Sequence, residues 1–201
     1  LHNRCRRQRQ MCIRDSDPFM IPLDNKAKVD CDNAKLRLSC NSNSDHIANI
    51  FALKGYQDVL TKSGESGIFG YCRRNYLSHS TMRMIHGMKR QVIDQFKQLK
   101  LLKSTPEAWA HANRHAMNTD VLKTILAFGL YPNLLRRHPT HKNFQGRGNR
   151  KCRVQKSSVT NLTGGALRET NANSFTWICF GEMLKGDRSE LVRDATVLSP
   201  V

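Results

Sequence analysis

The chain has 201 residues, 39% of them hydrophobic and 24% charged, a balance that builds a core and excludes a disordered chain. Lys and Arg number 33 against 16 Asp and Glu, a formal net charge of +17 that favours a polyanionic partner, most often nucleic acid. No apolar run approaches the ~20 residues a membrane span requires, and the charge is spread along the chain rather than set beside one apolar face.

The opening stretch, LHNRCRRQRQMCIRDS (1–16), has neither apolar periodicity nor turn chemistry. It reads as a disordered basic arm or as non-native sequence resembling a translated adapter, and is set apart from the fold. Its Arg4, Arg6, Arg7, Arg9 and Arg14 against Asp15 carry a net +4, so +13 remains without it.

Asp17 to Pro22 forms an extended lead-in, since both prolines discourage helix. NKAKVDCDNAKLRL (25–38) is a first, modest helix. Ser44 beside Asp45 suits a helix start, with Ile47, Ile50, Phe51 and Leu53 supplying an apolar face before Tyr56 and Leu60. The glycines and serines of TKSGESG (61–67) predict a loop. A helix beginning at Ser78 or Ser80 carries Ile85, Met88, Val92, Phe96 and Leu99 at steps of three and four, which predicts a buried stripe. Met82, Met84 and Met88 read as adaptable core filling. Thr105-Pro106-Glu107 and Asn118-Thr119-Asp120 are two further helix starts, the second helix closing at Gly129 with Pro132 beyond. Residues 24–130 therefore form a helical bundle.

After Pro132 the pattern changes. HPTHKNFQGRGNRK is a polar loop, while CRVQKSSVT, SFTWICFGEML and ELVRDATVLS are rich in β-formers, with Lys185-Gly186-Asp187-Arg188 as the turn between the last two. Several short strands with a long basic loop suggest a small barrel or sandwich.

Catalytic constellations fail on geometry. Asp45 and His46 are adjacent at a helix start, so their side chains diverge and they open a helix rather than form a dyad. His111 and His115 stand one turn apart as zinc ligands do, but Ala112 replaces the Glu of H-E-x-x-H and no third ligand is evident. TKSGESGIFG has glycines and a lysine, but not in the order of a phosphate loop, and the sequence has no D-E-x-H stretch. Cys5, Cys12, Cys31, Cys40, Cys72, Cys152 and Cys179 are odd in number and form no C-x-x-C pair. They read as free thiols in a reducing compartment, not as a disulfide framework or zinc ribbon.

The positive chemistry is electrostatic. Arg136, Arg137, Lys142, Arg147, Arg150, Lys151, Arg153 and Lys156 fall in one stretch without an acid, with Phe144 among them. Such a run is either a solvated loop or a wall that meets phosphates while aromatics stack bases. Arg73, Arg74 and Asn75, then Arg83, Lys89 and Arg90, supply a second basic group, with Asn75 open to a structural role.

DPFMIPLD, SDHIANIFALKGY, YCRRNYLSHSTMRMI, ILAFGLYPNLLRR and LVRDATVLSP occur in the order seen downstream of the motor in DEAH/RHA-type helicases, and residues 17–201 resemble that C-terminal region. The resemblance implies an α+β chain: a ratchet-like helical bundle over 17–131, then a small β-barrel of OB (oligonucleotide-binding) type over 132–201, truncated by its last strand. One departure is Gln155-Lys156-Ser157-Ser158-Val159, where the family has a His-Pro-Ser-Ser-Val-like strand. The resemblance implies an RNA-binding role in an ATP-dependent RNA helicase, in the cytoplasm or nucleus, with single-stranded RNA and the RecA-like motor lobes as partners. ATP and Mg would bind those lobes, so no cofactor and no ATP hydrolysis are expected of this chain. Some relatives receive an activator protein at the OB fold. The RNA-binding residues implied are Arg73, Arg74, Arg136, Arg137, Arg150, Lys151, Arg153, Lys156, Ser157 and Ser158. The alternatives are a stand-alone basic RNA-binding protein and a protein-docking module.

Overall fold

A computed structural model describes residues 17–137, 144–145, 151–162, 176–185 and 190–198. These fall in two compact units that do not follow chain order, Leu1–Ala34 with Phe51–Ala112, and Lys35–Ile50 with Asn113–Val201.

The helices are α1 (Asn25–Leu38), α2 (Asp45–Arg74), α3 (His79–Gln98), α4 (Pro106–Asn113) and α5 (Thr119–Leu130). Their starts follow the predicted caps. Ser44 Oγ accepts from the Ile47 amide at 3.1 Å, Ser78 Oγ from Thr81 at 3.3 Å, and Thr105 Oγ1 from Ala108 at 3.3 Å. Asn118 Oδ1 takes two amides, Asp120 at 3.0 Å and Val121 at 3.2 Å. Each satisfies donors that the first helical turn leaves without a partner. At the other end, α5 runs through Gly129 to a cap at Tyr131.

In the first unit the lead-in is extended as expected. Phe19 bridges Leu77, the Met20 amide reaches the Tyr76 carbonyl at 2.8 Å, and the Ser78 amide reaches Pro18 at 2.8 Å. Phe19, Cys31, Ile68, Cys72, Leu77 and Met82 are buried here. The predicted loop at 61–67 is instead helical except at Gly64, whose φ of 61° and ψ of −158° place a kink inside α2. One left-handed residue is enough to break a helix, and glycine adopts that geometry without a Cβ clash. Across the kink, the Tyr71 hydroxyl donates to the Ala52 carbonyl at 3.0 Å. A Cβ on Gly55 would overlap the Tyr71 phenol, so that approach requires glycine.

The predicted stripe on α3 is not buried. Met88, Val92, Phe96 and Leu99 are 55, 48, 44 and 68% exposed, and Met84 is exposed too, leaving Met82 as the one buried residue among the three methionines. Ile85, the first residue of the stripe, is half-buried, so the apolar face is there as predicted but is covered only in part.

The described residues of the second unit form five strands, β1 (Leu134–Arg137), β2 (Phe144–Gln145), β3 (Lys151–Val154), β4 (Thr176–Lys185) and β5 (Glu190–Leu198), closed in the order β1-β2-β3-β5-β4. β3 and β5 run parallel and the other pairs antiparallel. This is the five-stranded Greek-key barrel of the OB fold. The barrel closes on these five strands, which corrects the expectation of a barrel open at a missing last strand. Leu135, Phe144, Cys152, Val154, Ile178, Phe180, Val192 and Ala195 fill the interior.

Two details differ from expectation, and a third lies outside the described residues. Phe144 lies in a strand and packs inside the barrel, so it is not an aromatic of the basic loop. The strand predicted over CRVQKSSVT ends at Val154, and a short helix, α6 (Val159–Leu162), follows the turn. Of the predicted turn Lys185-Gly186-Asp187-Arg188, Lys185 closes β4 and pairs with Glu190, while 186–188 lie outside the described residues.

Residues 43–46 join the barrel unit along β5. Ser44 bridges Thr196 and the Val197 amide donates to the Asn43 carbonyl at 3.0 Å. Ser44 Oγ and Thr196 Oγ1 lie 2.6 Å apart, and His46 Nδ1 lies 2.8 Å from Thr196 Oγ1. Burial lowers the His46 pKa, more than the neighbouring Asp45 carboxylate raises it. The folded pKa is therefore below the unfolded one, and the unfolded chain takes up the proton first as pH falls. The stability His46 contributes is complete above about pH 6.5 and is lost as pH falls through and below it. Thermal unfolding at pH 7.5 and 5.5 checks this: the wild type loses more stability across the interval than His46→Asn. Equal losses would sink it.

Candidate nucleic-acid interface

The barrel exterior follows from strand alternation. On β3, Cys152 and Val154 point inward while Lys151 and Arg153 are exposed; on β1, Leu135 is buried and Arg136 exposed. Cross-strand partners share a face. Arg136 pairs Trp177 on β4 and Gln145 on β2, and Gln145 pairs Lys151 on β3. Trp177, Arg136, Gln145 and Lys151 therefore form one lateral row across four neighbouring strands. Three interstrand spacings make it roughly 14 Å long. Trp177 is 42% exposed, and its partner on the other side is Leu198.

The predicted binding residues separate on this geometry. Arg136, Lys151 and Arg153 stand exposed on the barrel, Lys156 is exposed in the turn after β3, and Arg137 is half-buried. Lys142, Arg147 and Arg150 lie outside the described residues. Arg73 and Arg74 are exposed in the last turn of α2, in the first unit. Asn75 beside them is buried and its Nδ2 donates to the Tyr71 carbonyl at 2.9 Å, a helix-closing role. In that same unit Arg83 faces Glu65 at 3.8 Å, an exposed pair, and Lys89 donates to Gln57 Oε1 at 3.0 Å.

The two serines engage the fold through different groups. Ser157 is half-buried and its carbonyl accepts from Lys35 Nζ at 3.3 Å. Ser158 is buried and its hydroxyl donates to Asp45 Oδ2 at 2.5 Å. Asp45, 1% exposed, also accepts from the Val159 amide at 2.9 Å, from the Ala195 amide at 2.9 Å and from Lys35 Nζ at 3.1 Å. Within the second unit one carboxylate thus ties Lys35, the start of α2, the β3–α6 turn and β5 together. Asp45 and His46 diverge to different partners, as their adjacency requires.

Arg136 and Lys151 are among the residues read from the sequence, whereas Trp177 and Gln145 join them only through strand register. The alternation in TWICF sets Trp177 opposite in face to Ile178, but only strand register places it beside Arg136. Among the described residues no group of three or more His, Cys, Asp or Glu is placed to hold a metal ion. Among the described residues Cys31, Cys40, Cys72, Cys152 and Cys179 form no disulfide. Burial raises the Cys179 pKa, which leaves that thiol protonated and unreactive. No described helix is long and apolar enough to cross a membrane.

The barrel topology is that of an OB fold, and a row of cations and an aromatic lies on its exterior. Residues 122–201 match the oligonucleotide/oligosaccharide-binding (OB)-fold family OB_NTP_bind. The chain is homologous to the C-terminal, OB-containing region of DEAH/RHA-type RNA helicases. It is 30% identical over 197 residues to the ATP-dependent RNA helicase DHX30 of Homo sapiens, covering 92% of this chain and 16% of that protein. To the DExH-box ATP-dependent RNA helicase DExH1 of Arabidopsis thaliana it is 30% identical over 185 residues, 90% of this chain and 17% of that protein. To the putative ATP-dependent RNA helicase DHX57 of Mus musculus it is 27% identical over 159 residues, 71% of this chain and 11% of that protein. The chain thus spans about one sixth of the length of the first two relatives.

Proposed function

We propose that this chain is the RNA-binding accessory region of an ATP-dependent DEAH/RHA-type RNA helicase, lining part of an RNA channel beside RecA-like motor lobes. The observation that carries the reading is the exposed basic edge of β1 and β3, Arg136, Lys151 and Arg153, on an OB barrel. Arg73 and Arg74 offer exposed charge on the helical unit. ATP and Mg belong to the motor lobes, since this sequence has neither a phosphate loop nor a D-E-x-H stretch. The exposed stripe of α3 supports docking to another domain, for which the motor lobes are the natural occupant. Its setting is intracellular, where such RNA lies.

The test is titration of labelled single-stranded RNA with the whole chain at several salt concentrations. Weak binding with little sequence preference is expected. If four cations meet phosphates, the slope of log affinity against log salt is about −3. No binding at low salt, or affinity indifferent to salt, overturns the reading. In that case a docking module for an activator protein becomes the better account.

A further inference from the structure

We propose that the lateral row Trp177–Arg136–Gln145–Lys151 on the outside of the barrel is the track for the single strand, with Trp177 stacking one base. This rests on the RNA-binding reading above and names the residues that perform it. Three observations carry it. Cross-strand register places the four residues side by side on one face of β4, β1, β2 and β3. Three of the four side chains are exposed, and Gln145 is half-buried between two cations. Trp177 is a large aromatic left exposed at the end of a row carrying two positive charges and no acid.

The chemistry divides along the row. An exposed indole face stacks any base, because every base has a π-face, and so adds affinity without sequence preference. Arg136 and Lys151 meet the phosphate backbone on either side of Gln145. The Gln145 amide carries both a donor and an acceptor, suited to a base edge or a ribose 2′-hydroxyl. Bases stacked inside a duplex cannot lie on Trp177, so the row selects unpaired RNA. Leu198, paired with Trp177 on β5, continues the row on the side away from Arg136.

The chain has two tryptophans, Trp109 and Trp177, so Trp109→Phe leaves Trp177 as the sole reporter. Saturating this variant with single-stranded oligouridylate is expected to quench its emission. Trp177→Ala is expected to weaken RNA binding about tenfold with the salt slope unchanged, because stacking releases no counterions. Arg136→Gln and Lys151→Gln are each expected to lower the salt slope by about 0.7. Trp177→Phe retains a ring and keeps most of the affinity, which separates lost stacking from a damaged barrel. If RNA binds with salt dependence while Trp177 emission stays constant and Trp177→Ala binds as the wild type does, the track lies elsewhere and the RNA-binding reading survives. If no RNA binds at low salt, both fall.

Discussion

Asp45→Ala is expected to lower the unfolding free energy of the barrel unit by about 4 kcal/mol. The carboxylate is 1% exposed and accepts from four donors: Lys35 Nζ, the Ser158 hydroxyl, and the Val159 and Ala195 amides. Truncation leaves a lysine, itself buried at 8% exposure, without its counter-charge. It also strands two buried amides, each costing about 1–3 kcal/mol when unpaired. Asp45→Asn keeps the shape but turns an NH2 group toward donors, so it too is expected to destabilise. The ion pair itself need not be strongly stabilising, since desolvation offsets much of its attraction. A cycle with Lys35→Met resolves this. Asp45→Ala should cost less in the Lys35→Met background, where no ammonium is left buried, and the remainder measures the amides and the hydroxyl. Urea denaturation followed by Trp177 fluorescence in the Trp109→Phe background reads all four variants. A loss below about 1 kcal/mol for Asp45→Ala would refute the role assigned to this carboxylate.

Local signals in the sequence were enough to place most helices. The 25–38 boundaries and the caps at Ser44, Ser78, Thr105 and Asn118 depend on residues within one turn, and the structure follows them. Composition misled where one residue decided the geometry, as at Gly64, which bends a helix that the surrounding serines and glycines suggested was loop. Periodicity found the apolar stripe of α3, but burial depends on what covers a face, and spacing does not contain that information. The barrel's chemistry was least legible. Asp45 meets partners at 158, 159 and 195, over a hundred positions away, so its environment follows from tertiary closure alone. The same holds for Trp177 and Gln145, whose adjacency to Arg136 and Lys151 exists only in the register of a closed sheet. Phe144 shows the converse, a residue embedded in a basic run whose side chain strand alternation turns into the core.

Neutralising Lys151, Arg153 and Lys156 together is expected to weaken RNA binding by about a hundredfold or more at low salt, if each meets one phosphate. All three are exposed, on β3 and in the turn that follows it. The control must carry the same charge elsewhere without holding the fold. Lys26 and Lys28, exposed on α1, meet that need. Lys35 on the same helix does not, because it is buried against Asp45 and the Ser157 carbonyl, so its loss would damage the barrel unit itself. Lys103, exposed ahead of α4, completes the control triple. If binding follows net charge alone, both triples lose three charges and weaken RNA equally. If the barrel edge is the contact, the Lys151/Arg153/Lys156 triple loses far more affinity and its salt slope falls by about two, while the control triple stays near the wild type. Circular dichroism of both triples confirms that folding is retained before affinities are compared at one fixed salt. Equal losses would return the basic stretch to the status of solvated charge.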